Sequence, residues 1–140
     1  MSEENVARFL DSQAVFNRLI ASPSNVEAAL ELLEFMDPEV RFEPHQAMVE
    51  GTYIGRDGVA KWLVDLAEHY ELGGHVDYYD VRDLGDRVLA FGTLRVTGKG
   101  SGLEMDAPLA ILATFKNGLI TDLTDFGDKE QVLEAAGIQE

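Results

Sequence analysis

Two carboxylates stand where they could do chemistry, Glu43 and Asp125. Glu43 precedes Pro44 and ends the short run Val40-Arg41-Phe42-Glu43. Read as a strand, that run puts Arg41, Glu43 and His45 on one side and Val40 and Phe42 on the other. A glutamate desolvated in a pocket can abstract a proton near neutral pH. Asp125 closes a second run in which Leu119, Thr121, Leu123 and Asp125 alternate onto one face. The two leucines make that face interior. Together the acids suggest general acid–base chemistry on a small molecule. Each acid also has a structural alternative. Glu43 would be a solvated rim carboxylate paired with Arg41, and Asp125 a turn or cap residue before the last helix.

The elements that must position these groups are legible in the pattern. Residues 3–21 read as a helix, with Val6, Phe9, Leu10, Phe16, Leu19 and Ile20 at three- and four-residue spacing. A second helix starts at a Ser24/Glu27 capping box, buries Val26, Ala29, Leu30 and Leu33, and runs to about Met36 before Asp37-Pro38. Val40–Glu43 and Val49–Tyr53 read as short strands. A third helix is capped by Asp57, turns Val59, Trp62, Leu63, Leu66 and Tyr70 inward, and ends at Gly73-Gly74. From about Val76 the chain reads as a meander. Its turns fall at Gly85-Asp86, at Gly98–Gly102 and at Asn117-Gly118, the last a type I′ hairpin signal. A final helix, Lys129–Ala136, is capped by Asp128. Helices first and a long bent meander after them predict an α+β domain spanning residues 1–140. Three N-terminal helices pack on a strongly curved mixed or antiparallel sheet, and a short helix closes the chain. A sheet curled in this way makes a cone with a cavity at its open end.

Composition narrows the function. The 140 residues carry 26 acidic and 11 basic side chains, a net charge of −15. Binding phosphate backbones or anionic membrane surfaces needs the opposite sign, so neither nucleic acid nor membrane is an expected partner. Cysteine is absent, which removes disulfides and thiol nucleophiles. No stretch has the length of an apolar membrane span, and MSEENVARFL lacks the basic start and apolar run of a signal peptide, which points to the cytoplasm. His45, His69 and His75 show no i, i+4 pairing, so no metal and no cofactor is expected. The glycine-rich turn 98–102 is not followed by a helix or by Gly-Lys-Ser/Thr, which excludes a phosphate loop.

Several segments together resemble the SnoaL-like branch of the nuclear-transport-factor-two-like, or ketosteroid isomerase-like, superfamily. They are Asp37-Pro38-Glu39-Val40-Arg41-Phe42-Glu43, Gly55-Arg56-Asp57-Gly58-Val59, Gly85-Asp86-Arg87-Val88, Gly100–Pro108, and Asp125-Phe126-Gly127-Asp128 with Leu133–Gly137. The resemblance implies a cone-shaped α+β barrel holding a small, mostly apolar molecule. It also implies either a cofactor-free isomerase, cyclase or hydrolase, or a non-catalytic dimeric ligand-binding or interaction module.

The resemblance also supplies residue roles. Glu43-Pro44 falls where ketosteroid isomerases carry their general base, but Phe16 and about Ile111 fall where those enzymes carry oxyanion donors, and neither can donate. Limonene epoxide hydrolases are similar from Val88 to Asp128. Asp125 matches their last-strand acid, whereas Gly92 and Leu94 replace the Arg and Asp of their middle strand. SnoaL-type cyclization chemistry asks for one acid, a part the resemblance leaves open to Asp125 or Glu43, with His45 or His69 assisting. The expected lining is Phe16, Tyr53, Trp62, Leu66, Tyr70, Leu94, Leu109, Ile111 and Leu123, with Phe42, Phe91 and Phe115 as further aromatic candidates. Tyr53, Trp62 and Tyr70 carry polar tips that could orient a ligand, and of Tyr78-Tyr79, adjacent on a strand, only one can point inward. Val88, Ala90, Ala110 and Leu112 suggest an apolar outer sheet face covered by a second copy, a homodimer.

Overall fold

The computed structural model describes residues 2–21, 26–46, 49–50, 52–98 and 102–138; the side chains of residues 2, 45–46, 49–50, 66–74, 96–98 and 105 lie outside the description. Among the described residues four helices and eight strands follow in the order α1 (Ser2–Ala21), α2 (Val26–Glu34), β1 (Met36–Glu43), β2 (His45–Gln46), β3 (Val49–Glu50), β4 (Tyr53–Ile54), α3 (Gly55–His69), β5 (Tyr70–Asp83), β6 (Arg87–Gly98), β7 (Glu104–Lys116), β8 (Leu119–Asp125) and α4 (Lys129–Ala136). Six strands form one sheet in the order β4-β1-β8-β7-β6-β5, and β2 pairs with β3 separately. The meander β5 to β8 is antiparallel throughout, while β1 joins its end parallel to β8, so the sheet is mixed. The α+β class and the three-helix, curved-sheet, short-helix architecture are those expected.

The inner face of the sheet and helices α1 to α3 enclose the main core. Phe9, Phe16 and Ile20 from α1 meet Val40 and Phe42 from β1 and Val88, Ala90, Leu94 and Ile111 from the meander. Helix α1 also closes the open edge of the sheet. Asn17 acts as a surrogate strand, because its Nδ2 donates to the Val76 carbonyl (3.0 Å) and its Oδ1 accepts from the Val76 N–H (2.8 Å). An unpaired edge is a template for unwanted pairing, and one amide side chain satisfies both groups of β5 at this point.

Several boundaries differ from the sequence reading. Helix α3 ends at His69, and Tyr70 to Gly74 belong to β5. The Gly73-Gly74 pair therefore sits inside a register shift between Glu71 and His75, a bulge rather than a helix stop. Helix α2 ends at Glu34, and β1 takes in Asp37-Pro38, with the register shift between Met36 and Arg41 that a proline in a strand requires. The buried stripe of α2 is Ala28 and Leu32, with Ala29 and Leu33 partly buried, whereas Val26 and Leu30 stand 67% and 60% exposed. The expected strand 49–53 is two short pieces, β3 and β4, and α3 begins at Gly55, which puts Asp57 in its first turn. Ser24 lies outside the described residues.

Part of the outer sheet face is covered from within the chain. Helix α4 packs Val132 and Leu133 on Leu89, Phe91, Ala110 and Leu112. Asp128 caps it by accepting from the Glu130 N–H, and Gly137 ends it at φ 75°. Arg82 and Lys129 both lie over the Phe91 ring, at 5.4 and 5.5 Å. Strand alternation sends Val88 and Ala90 to the inner core instead, with Phe115. Of the four residues that argued for a second copy, two are interior and two lie under α4. The hairpins match their turn chemistry, with Asn117 and Gly118 at φ 53° and 79° and Gly85 at φ 88°. Among the described residues no helix is long and apolar enough to cross a membrane.

Candidate functional site

A cavity lies between the inner sheet face and the helices. Its space for the centre of a water-sized sphere is about 50 Å³; the wider figure of about 570 Å³ takes in open solvent at the mouth. One water needs roughly 10–15 Å³ by the first measure, so there is room for a few waters or one small organic molecule. Helix α1 contributes Gln13 and Phe16, one turn apart, and α3 contributes Val59 and Trp62. Leu32, Met36 and Phe42 close one side, and the sheet supplies Val76, Tyr78, Leu94, Leu109, Ile111, Leu123 and Asp125. Among the described residues Asp125 is the sole acidic residue in this wall, and the lining includes no Lys, Arg or His.

Asp125 is 5% exposed. Its Oδ1 accepts from the Ala110 N–H at 3.1 Å and from the Gly127 N–H at 2.9 Å. The carboxylate thus ties β8 to β7 and starts the turn into α4, while its Oδ2 is also buried. The turn role and the cavity role coexist on one side chain.

Glu43 lies elsewhere, and the register explains why. In the β1–β8 pair, Phe42 is opposite Leu123 and Glu43 is opposite Thr124. Registered partners share a face, and neighbours along a strand do not. Phe42 and Leu123 point inward with Asp125, and Glu43 points outward with Thr124. Its side chain is 34% exposed and pairs with Arg41 Nη2 at 2.6 Å; Thr52 Oγ1 donates to the same oxygen at 3.3 Å. The two acids therefore do not converge on one molecule.

The other expected residues divide in the same way. Phe16, Trp62, Leu94, Leu109, Ile111 and Leu123 meet at the cavity with Asp125. Tyr53 does not reach its wall. Its hydroxyl donates to Asp65 Oδ2 at 2.8 Å, beside Lys61. Phe91 belongs to the outer face under α4. His45 is in β2, Leu66 in α3 and Tyr70 in β5, and their side chains lie outside the described residues.

Two polar residues of the wall escaped sequence reasoning. Tyr78 turns inward, and its hydroxyl donates to Gln13 Oε1 at 2.7 Å. Gln13 Nε2 donates to Ser12 Oγ at 3.4 Å, and Ser12 donates to the Phe9 carbonyl at 2.7 Å. The ring of Tyr78 meets Phe9 edge-on at 5.3 Å. Tyr78-Tyr79 was legible as a pair of which one must face inward, but only the β5 register selects Tyr78, opposite Gly92. Tyr79 is 76% exposed. Gln13 carried no signal beyond its position three residues before Phe16.

Trp62 is held on two sides. Phe16 stacks on it at 5.5 Å and Phe42 meets it edge-on at 4.6 Å. Its Nε1 is buried and has no hydrogen-bond partner among the described residues. A buried donor left in that state costs about 1–3 kcal/mol.

Burial, and then the negative charge of Asp125, push the Tyr78 phenol well above its ordinary range. Tyr53 moves in the same direction through burial and Asp65, against a smaller opposing effect of Lys61. A tyrosine in the unfolded chain loses its proton near pH 10, while these two keep theirs in the fold. The folded state therefore binds more protons above about pH 10, and stability falls as pH rises beyond that point. Urea midpoints measured from about pH 8 to pH 11 should decline at the alkaline end, and Tyr78→Phe should flatten the decline. An equally steep decline in the variant would remove Tyr78 as its cause.

Comparisons with known proteins agree on the family and the fold. A family model described as a SnoaL-like domain matches residues 4–123. No curated protein gives a significant match. Among solved structures, an NTF2-like protein of unknown function from Burkholderia pseudomallei is 22% identical, with 96% of this chain and 97% of that chain covered and a TM-score of 0.76. TerC, co-crystallised with polyporic acid, is 23% identical over 96% and 98% of the two chains, with a TM-score of 0.73. A hypothetical protein of ketosteroid isomerase-like fold from Catenulispora acidiphila, in complex with trimethylamine, is 20% identical over 90% and 92%, with a TM-score of 0.67. At these identities the structures establish the shared fold.

Proposed function

The chain belongs to the SnoaL-like domain family, and from that premise we propose that it binds a small, mostly apolar molecule in the conical cavity and moves a proton on it with Asp125, without a cofactor. The observation that carries this reading is a carboxylate 5% exposed in a wall made almost wholly of apolar and aromatic side chains. Holding an ionisable group in such a place is costly, and sites that do proton chemistry are where such costs are retained. The complexes of like-folded proteins with polyporic acid and with trimethylamine support occupancy of this fold by small molecules.

In the proposed step the Asp125 carboxylate takes a proton from a carbon beside a polar group. The C–H bond breaks, its electron pair is delocalised onto that group, and the proton returns to the same or a neighbouring atom. Glu43 has no part in it, since it faces away from the cavity with Arg41.

A second reading, a binding module without catalysis, is favoured by the two backbone N–H groups that engage Asp125 Oδ1. Hydrogen–deuterium exchange of small ketones in the wild type and in Asp125→Asn separates the two. A homodimer would have to use the outer face beyond α4, where Tyr79 and Arg95 are exposed; light scattering at micromolar concentration reads whether it does.

A further inference from the structure

We infer that Trp62 selects the ligand: the cavity takes a small, uncharged molecule whose acceptor oxygen is bound by the Trp62 indole N–H. The inference rests on the reading of the cavity as a ligand site and adds the chemical class. Three observations carry it. Trp62 is 7% exposed in the cavity wall, and its Nε1 has no hydrogen-bond partner among the described residues. Phe16 and Phe42 clamp the ring, so the indole cannot turn to find a partner in the protein. Two polar groups of the same wall have protein partners of their own: the Tyr78 hydroxyl donates to Gln13, and Asp125 Oδ1 accepts from two backbone N–H groups. An indole nitrogen is a donor only, so what completes it must accept.

A carboxylate ligand could accept, but this wall rejects one. Among the described residues it has no basic side chain, it contains Asp125, and the chain carries a net charge of −15. A carbonyl or ether oxygen on an apolar body satisfies the donor with no buried charge to neutralise.

Trp62 is the chain's one tryptophan, so a ¹⁵N-labelled sample gives a single indole N–H signal. The probes are acetophenone, ethylbenzene and benzoate, which are of similar size. Acetophenone should move the indole proton downfield and bind about five- to tenfold more tightly than ethylbenzene, the worth of one net hydrogen bond. Benzoate should bind most weakly of the three. In Trp62→Phe, which keeps an aromatic ring between Phe16 and Phe42, the preference for acetophenone should disappear by isothermal titration. An indole signal unmoved by bound acetophenone overturns the inference in the wild type alone, whatever the variant does. So does a preference that survives Trp62→Phe, or equal binding of ketone and hydrocarbon. Equal binding leaves the ligand site standing, whereas no binding by any probe removes the site and the inference together.

Discussion

Gly92→Ala should destabilise the fold by about 2–4 kcal/mol, a large effect for one methyl group. Gly92 lies in β6 opposite Tyr78 of β5 and Leu109 of β7. A Cβ built there would come 2.2 Å from the Asp77 carbonyl oxygen, 3.1 Å from its carbon and 2.9 Å from Tyr78 Cδ1. The side-chain contact could be relieved by a rotation. The backbone contact cannot, because Asp77 is held in the β5–β6 ladder and the next residue is Tyr78, whose ring is fixed by Phe9 and whose hydroxyl is fixed by Gln13. The strand itself must move. Urea titration should show the midpoint falling by roughly 1–2 M at an unchanged slope. Pairing Gly92→Ala with Tyr78→Phe should give no rescue, because the hydroxyl is not what the methyl meets. A loss under about 0.5 kcal/mol, the range of an indifferent surface change, would show that β5 yields freely and that Gly92 has no such role. The same displacement carries Val76 and Tyr78 out of the cavity wall, so ligand affinity should fall along with stability.

Gly92 also marks where the sequence stops being legible. Its identity was noticed as a departure from the epoxide hydrolase pattern, but nothing local says that a neighbouring carbonyl fills the missing side chain's space. The parts that were legible are those governed by local chemistry. Asn117-Gly118 needs positive φ at both residues, and Asp128 with Gly137 needs a cap at each end of a short helix; both signals are written in two to ten residues. Register is different, because it is a relation between strands far apart in the chain. Glu43 and Asp125 looked equivalent by alternation within their own strands. A one-residue offset, Glu43 opposite Thr124, puts them on opposite faces. The stripe of α2 failed for a similar reason. Val26, Ala29, Leu30 and Leu33 fit a helical period as well as Ala28 and Leu32 do, and packing buries the second set, leaves Ala29 and Leu33 partly buried and turns Val26 and Leu30 outward. Tyr78 combines both kinds of information. Its pairing with Tyr79 was visible, but the choice between them follows from the bulge between Tyr78 and Asp80 and from the gap left by Gly92.

Asp125 offers the sharpest separation between structure and chemistry, because its two conservative replacements should part. In Asp125→Ala the N–H groups of Ala110 and Gly127 lose their acceptor. Each buried donor left unmatched costs about 1–3 kcal/mol, so the variant should lose about 2–4 kcal/mol in urea unfolding. Asp125→Asn keeps a carbonyl oxygen able to accept both bonds, and it should stay within about 1 kcal/mol of the wild type. The amide is no base, however. If Asp125 moves a proton, the exchange of ketone α-hydrogens for deuterium, followed by NMR in D₂O, should be about 10²–10⁴ times slower in Asp125→Asn than in the wild type. Ketone affinity should change far less, since the Trp62 donor and the apolar wall are untouched. Glu43→Gln is the internal control. Its carboxylate pairs with Arg41 outside the cavity, and an exposed pair of this kind is worth about 0–1 kcal/mol, so both stability and exchange should stay near wild type. A wild type that binds the ketone tightly yet exchanges no faster than Asp125→Asn would leave Asp125 with its turn alone, as the acceptor that joins β8 to β7 and to α4. The cavity would then be a receptor rather than a reaction vessel, because no other acid or base reaches its wall among the described residues.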